Sequence, residues 1–473
     1  MIQSSLQGIP PNLRQTETQL LTYRQRQSLR LSLFKLRVRE YLFHDSILFR
    51  WTAGLFGYLM ALILHALGRI QREFEILAKL HRADFFGPAN VRAERLAREA
   101  AQAAASGQRD HPLVQMYQQH IDGLGSTPRT AKFFRDPSIL LGGLAMVLKS
   151  PANGEKGVIL LQYSYVFPLF ARLFNLQEIA KHYYIVLEPD WSGYCDPNIL
   201  TYCGYSFPVF VQAYEPRDAA FVLSTNSNLI PVPTSTNWWV DHRLFGKIQE
   251  IAPDMDLVVV AGWGTYKRHY QIFSALRRLR RAGHRLKTLL LGYPISLSKE
   301  HIYLQASYHG VDDQLEIHEN VPYELVNDFL NRGKVNLIWS RKEGVNREIV
   351  EGMFADVPCM VRHGFNYGYK YPYINEQTGV YASEKELPAK LLWMIQNRNR
   401  FSPRQWVMDH MTCQRAAELL FSVIGEFAST RGEPWSRPLS PKVNKLHGME
   451  YWNKEDVLRY APDYSFLRSL ARV

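Results

Sequence analysis

The chain has 473 residues, too long for one compact domain, and its 46% hydrophobic and 13% aromatic content excludes a globally disordered polymer. Lys and Arg number 56 against 44 Asp and Glu, and the surplus of +12 favours polyanions: nucleic acid, anionic lipid headgroups or phosphorylated ligands. No zinc-finger spacing, RNP-like aromatic motif or homeodomain pattern accompanies the charge, so nucleic acid is not expected as a partner. Cys195, Cys203, Cys359 and Cys413 form no CxxC pair, which fits a reducing compartment.

Residues 1–15 read as a loose, polar start without a signal-peptide core. From about Thr16 to Ala105 the pattern is helical. Within it the run 51–68 (WTAGLFGYLMALILHALG) is almost free of charge, with His65 its one strongly polar member. That is near the minimum length of a membrane span. Arg37, Arg39 and Arg50 crowd its N-terminal side, with Arg24, Arg26, Arg30 and Lys35 further out. Three placements stay open: a buried core helix, a helix lying in a membrane surface, and a true span. Residues 106–135 are polar and rich in turn formers, and read as a linker or surface excursion.

From Lys156 onward short apolar runs alternate with helical stretches. GVILLQY (157–163), YYIVLE (183–188), FPVFVQAY (207–214) and NLIPVP (228–233) read as strands, with one helix over 167–182. The texture restarts after Pro253. LVVVAG (257–262), LKTLLLGY (286–293), LEIHE (315–319), VNLIWS (335–340) and VPCMVRHG (357–364) read as strands, separated by helices that include 268–282, 345–354 and 384–395. Continuous apolar strands alternating with helices predict parallel sheets covered on both faces. A helical run follows at 402–427. The tail 431–473 is rich in Pro, Trp, Tyr and Arg and carries no recognisable chemistry.

The most informative segment is NLIWSRKEGVNREIVEGM (336–353). A strand ends at Ser340, a polar turn follows, and a helix is expected to open near Gly344. Free backbone N–H groups at such a start suit a diphosphate, and Gly344 leaves room for close approach. Glu343 sits at the turn and Glu351 two helical turns on, where both can meet a ligand lying over the helix mouth; the competing reading makes Glu343 a cap and Glu351 a solvated surface group. Asp254 and Asp256 form a DxD, but before a strand instead of after one, so a metal site is not expected. Gly262 and Gly264 form a lone GxG without a third glycine. No HExxH, GxSxG or Walker A is present.

Taken together, SRKEGVNREIVEGMFADVPCMV (340–361), the preceding VPYELVNDFLNRGKVNLIWS, INEQTGVYA (374–382) and AGWGTYKRH (261–269) resemble the donor-binding half of the retaining GT-B glycosyltransferases of family 4 (glycosyl transferases group 1), over about 140 residues. The resemblance implies an α/β fold of two Rossmann-like domains facing a cleft, behind a helical N-terminal extension. The extension would cover 1–135, an acceptor domain 136–250, a donor domain 251–400, and a C-terminal helix and tail 401–473. It implies that Glu343 contacts the transferred sugar, that Lys267 meets the diphosphate and that Glu351 binds the donor ribose. Gly344, Val345, Asn346, Arg268, Ser340, Gly262 and Thr378 would line the donor, and Glu188, Asp190 and Trp191 would face the acceptor. Trp263 stands where the family has an arginine, leaving Arg268, Arg341 or Arg347 as the substitute cation. The expected partners are a nucleoside-diphosphate sugar and a glycan or lipid-linked acceptor. No metal or other cofactor is expected, and the chain should be cytoplasmic, at the inner membrane face if the apolar helix binds lipid. A non-catalytic GT-B protein that binds a phosphorylated or nucleotide ligand at a membrane surface is the alternative.

Overall fold

A computed structural model describes residues 22–128, 130–365 and 369–472. The loose start read for 1–15 lies outside them. The chain folds as two compact units: Ser46–Asp241 with Gly344–Arg347 and His410–Val473 form one, and the described part of Met1–Asp45 with His242–Glu343 and Glu348–Asp409 forms the other. They are called here the mixed-sheet unit and the parallel-sheet unit. The longer helices are α1 (Tyr23–Glu40), α2 (Ile47–Ala66), α3 (Ile70–Ala83), α4 (Gly87–Ala105), α5 (Pro112–Asp122), α6 (Val166–Leu173), α7 (Leu176–His182), α8 (Pro216–Ser224), α9 (His269–Arg281), α10 (Lys299–His309), α11 (Val326–Asn331), α12 (Arg347–Phe354), α13 (Leu387–Gln396) and α14 (Cys413–Thr430).

The mixed-sheet unit carries five strands in sequential order: β1 (Ala145–Lys149), β2 (Gly157–Gln162), β3 (Tyr183–Glu188), β4 (Val209–Gln212) and β5 (Leu229–Val232). β1 runs antiparallel to β2 and the other pairs are parallel. β1 to β4 are buried along their whole length, as strands covered on both faces must be. A C-terminal hairpin, β12 (Lys442–Lys445) with β13 (Gly448–Tyr451), belongs to the same unit.

The parallel-sheet unit holds β6 (Met255–Val260), β7 (Thr288–Gly292), β8 (Leu315–Glu319), β9 (Gly333–Ile338), β10 (Cys359–Arg362) and β11 (Gly379–Ala382). Its order is β11-β10-β9-β6-β7-β8 and every pair is parallel. Counted from β6, that is the Rossmann order, with the strand order reversing between β6 and β9. Leu257 and Val259 of β6, Leu290 of β7, and Val335 and Leu337 of β9 share a core with Ile272, Phe273 and Leu276 of α9, Ile302 of α10 and Leu391 of α13. Val258 and Asn336 alternate to the opposite face. There α12 lies so close that a Cβ on Gly352 would come within 2.5 Å of the Asn336 amide.

Several expectations shift. The helix read over 167–182 breaks into α6 and α7 around Phe174 and Asn175. The stretch 106–135 is no plain linker: α5 forms there and buries Leu113, Met116, Tyr117 and Ile121. The helix expected near Gly344 begins at Arg347. Residues 22–135 do not stay together, because Tyr23–Asp45 packs with the parallel-sheet unit and the chain from Ser46 packs with the other. The physical reason in the first case is an ion cluster. Arg268, Arg341 and Arg362 stand at the carboxyl ends of β6, β9 and β10, and Glu40, Asp45 and Glu384 answer them. Arg362 reaches Asp45 at 2.6 Å, and Arg268 lies 3.8 Å from Glu40 with its side chain 1% exposed.

Gly379 of β11 pairs with Cys359 of β10, and a Cβ there would lie 2.1 Å from the Cys359 carbonyl oxygen. Gly379→Ala should therefore cost about 1–3 kcal/mol by overpacking. Urea denaturation of the full chain, followed by a probe in the parallel sheet, checks this; an unshifted midpoint would show that the edge strand adapts freely.

Candidate functional site

In a sheet of this order ligands bind beyond the carboxyl ends of the strands, where the order reverses. Here that place lies beyond β6 and β9. The β6 end continues through Gly262 and Gly264 into a short 3-10 turn, Thr265–Lys267, and α9 follows. The β9 end continues through Trp339 and Ser340 to Glu343. The two loops are stitched together by the Arg341 N–H, which donates to the Tyr266 carbonyl at 2.8 Å.

Two predicted residues meet across this stitch: Lys267 Nζ donates to Glu343 Oε1, with both side chains mostly buried. Burial alone would drive the ammonium pKa down. The Glu343 carboxylate outweighs burial, and the net shift is upward, so the lysine is held charged. The lysine also lies 5.4 Å from the centre of the Tyr266 ring.

A third group was not foreseen. Glu348, on the first turn of α12, accepts a hydrogen bond from the Val260 N–H at the very end of β6, at 3.2 Å. Burial pushes its pKa up to about 8; Lys267 opposes the rise, while Glu343 and Glu351 add to it. Glu348 stands three residues before Glu351, hence on the same helix face. That spacing was the only signal of it in the sequence. Glu351 is buried and accepts a hydrogen bond from the Tyr323 hydroxyl at 2.8 Å. His269, one residue beyond Arg268, is buried, and desolvation followed by the nearby Lys267 charge lowers its pKa to about 3, so it stays neutral.

Other predicted residues have structural duties. Arg268 adopts a left-handed φ of 59° and is enclosed by Glu384, Asp45 and Glu40, so its charge is already matched. Arg341 pairs with Glu40. The fully buried Trp263 donates from its indole to Glu319 at 2.6 Å and packs edge-on against His269 at 5.4 Å, which makes it a core brace and not the wall of a phosphate loop. Gly262 sits under Ile295 and Tyr293. Ser340 is buried at the strand end. The buried Thr378 hydroxyl donates to the Tyr373 carbonyl at 2.7 Å and accepts from the Asn375 N–H at 2.9 Å, bracing the turn before β11. Asp254 and Asp256 lie at the opposite end of β6 and pair with Arg332 at 2.9 Å and Lys334 at 2.8 Å.

The mixed-sheet unit accounts for the rest. A Cβ on Gly344 would fall 1.8 Å from the Asp190 carbonyl oxygen, and the Val345 N–H donates to that same oxygen at 3.3 Å. The bareness of Gly344 is thus required by protein backbone and is not reserved for a phosphate. Asn346 is buried, and Arg347 donates to the Lys445 carbonyl at 2.9 Å. Glu188 is fully buried, ion-paired with Lys442 at 2.5 Å and hydrogen-bonded by Asn444 at 2.9 Å, so it anchors β12 and does not face an acceptor. Burial lowers the Lys442 pKa to about 8 against the pull of Glu188. The Asp190 carboxylate accepts from the Ser164 N–H at 2.9 Å, and Trp191 is 40% exposed.

Glu348 gives a pH signature. An unfolded glutamate titrates near 4.5 and the folded one near 8. Between those values the folded chain holds a proton that the unfolded chain has released, so stability falls as pH rises through the window and levels off above it. Glu348→Gln should flatten that limb in thermal unfolding measured across the window. Curves that stay parallel to wild type would show that the carboxyl titrates normally.

No protein-family model matches the sequence, and no curated protein matches it. Among solved structures the chain is similar to TarM, with a TM-score of 0.43 and 13% identity over 57% of this chain and 54% of that one. It is similar to sucrose-phosphate synthase from Thermosynechococcus elongatus at a TM-score of 0.46 and 11% identity, covering 67% of this chain and 79% of that one. It is also similar to HepE from Anabaena in complex with UDP and glucose, at 0.42 and 11%, covering 58% and 78%. The chain spans about half the length of TarM.

Proposed function

We propose that this chain is a retaining glycosyltransferase of GT-B architecture that moves a sugar from a nucleoside-diphosphate sugar to a hydroxyl of a glycan or lipid-linked acceptor. The observation that carries the reading is the Lys267–Glu343 pair beyond the carboxyl ends of β6 and β9, where the sheet order reverses. A cation fixed in a poorly solvated site stabilises the negative charge that grows on a diphosphate as it leaves. Lys267 fills that role in this reading, so no metal is required.

In the reaction the bond from the anomeric carbon to the diphosphate oxygen breaks and its electron pair goes to the leaving group. The acceptor oxygen forms the new bond on the same face, and its proton passes to a phosphate oxygen. The free nucleoside diphosphate and the glycoside are the products. Glu343 gives up part of its hold on Lys267 to the phosphate and turns its carboxylate to the sugar hydroxyls. Glu351, steadied by Tyr323, accepts from the ribose. Glu348, protonated up to about pH 8, adds a hydrogen-bond donor beside them instead of a second repelling charge. Asp190 and Trp191 remain candidates for the acceptor side. Because nucleotide sugars are cytosolic, the cytoplasm is the proposed location. A non-catalytic reading would lean on Trp263 standing where the family has an arginine, and that indole is engaged in the core.

A thermal-shift panel of UDP, GDP, ADP and their sugars tests the binding step: a selective ligand at a hundred times its dissociation constant should stabilise the chain by about 2.7 kcal/mol. Lys267→Ala should lower sugar transfer, or donor hydrolysis without acceptor, by about 100- to 1000-fold. A panel in which no nucleotide shifts the melt would overturn the reading, as would full turnover by Lys267→Ala.

A further inference from the structure

α2 is the most unusual surface of the molecule. Its twenty residues extend about 30 Å, begin at Ser46, whose hydroxyl caps the Phe49 N–H, and end at Ala66. One face is packed within its own unit. A Cβ on Gly54 would meet Phe86 at 2.6 Å, one on Gly57 would meet Leu80 at 3.1 Å, and Ala61 and Leu64 are buried. His65 ties the far end to Glu73 of α3 at 2.9 Å.

The opposite face is open. Leu48, Phe56, Leu59, Met60, Ile63 and Leu67 recur at helical spacing along it and are 68%, 68%, 48%, 37%, 53% and 63% exposed. Thr52 is the polar residue in this stripe, and its hydroxyl donates to the Phe49 carbonyl at 3.0 Å, so it asks nothing of solvent. An apolar stripe of this length, with Thr52 its one polar member, marks an interaction surface.

Charge selects the occupant. Just past the end of α2, Arg69 and Arg72 line an open concavity of about 480 Å³ with Gln71 and Gln115. Neither guanidinium has an ion-pair partner among the described residues. An apolar stripe that ends on two unanswered cations of its own unit suits the boundary between acyl chains and anionic headgroups. The face packed on α3 and Phe86 is covered by protein, which leaves the opposite face to meet lipid.

We infer that α2 docks flat in the surface of an anionic lipid bilayer, its Leu48–Leu67 stripe among the acyl chains and Arg69 and Arg72 on the headgroup phosphates. This stands independently of the glycosyltransferase reading. The test is co-sedimentation of the full chain with phosphatidylcholine vesicles, alone or with about one third phosphatidylglycerol. Anionic vesicles should bind at least about tenfold better, with the preference shrinking in high salt. The exposed-face variant Phe56→Ser/Leu59→Ser/Ile63→Ser should melt as wild type and lose at least about tenfold in partitioning. Arg69→Gln/Arg72→Gln should keep vesicle binding while weakening the anionic preference. Because all four native cysteines are buried, a dye on Leu59→Cys reports insertion, and its emission should shift to the blue on anionic vesicles alone. Alkaline carbonate should release the bound chain. Retention after carbonate would mean a span and overturn the flat placement. Absence of binding at low salt, equal binding by the serine variant, or a stable dimer that the serine variant dissociates would each overturn the inference.

Discussion

A lysine withdrawn from water must have an anion beside it, and the parallel-sheet unit is arranged around that requirement. Lys267 has Glu343 as its partner, and Glu348 and Glu351 add two further carboxyls in its surroundings. One cation cannot hold three carboxylates ionised in a poorly solvated place, and Glu348, which burial and two acidic neighbours push up to about 8, keeps its proton. The result is a site with a paired charge, a neutral donor and a tethered acid, all at the reversal point of the sheet. In the proposed reading an incoming sugar diphosphate takes up Lys267 while its sugar hydroxyls donate to the released Glu343 carboxylate, so neither buried charge is left without a partner.

The same rule, met differently, explains the arginines. Arg268, Arg341 and Arg362 are balanced by Glu40, Asp45 and Glu384, three against three, with Arg268 almost wholly enclosed. An internally balanced cluster offers nothing to a ligand unless a carboxylate departs. It does hold the end of α1 and the turn to Asp45 against the strand ends. Two neighbouring ionic groups at the carboxyl ends of the same sheet thus have different characters: one is a closed structural knot, and the other contains a protonated carboxyl and a lysine whose ion-pair partner stands on a turn.

Much of the fold was legible because buried parallel strands write themselves as unbroken apolar runs. YYIVLE and LEIHE appear as strands over the residues expected, and seven others lie within a few residues of their predicted spans. β1 and β11 escaped for opposite reasons. β1 runs antiparallel at a sheet edge beside a polar turn, and β11 is four residues long and begins with Gly379 inside a segment that reads as a turn. The split of the N-terminal helices was illegible, since tertiary contacts assign Tyr23–Asp45 to one unit, the ion cluster together with the packing of α1 on α10, and no local pattern records them.

The site was legible as a set of residue types but not as a division of labour. The family resemblance brought Lys267 and Glu343 forward together, and they are in contact. The expected helix start brought Gly344 forward as room for a diphosphate, yet the group that approaches it is the Asp190 carbonyl. A sequence pattern marks where a side chain is forbidden without saying what fills the room. Glu348 is the converse case: on a helical wheel it is an ordinary first-turn glutamate, favoured there by the helix dipole. Its raised pKa arises from burial over the end of β6 and from two acidic neighbours, quantities that depend on depth and distance. Glu188 shows the same limit from the other side, because the resemblance and its place at the end of a strand suggested a ligand contact, and the buried Lys442 opposite it, 254 residues later by number, makes it a structural anchor. Roles at strand ends are therefore decided by which charges are already answered within the protein, and an unanswered or proton-sharing group, not a motif position, is the physical mark of a place where a ligand can act.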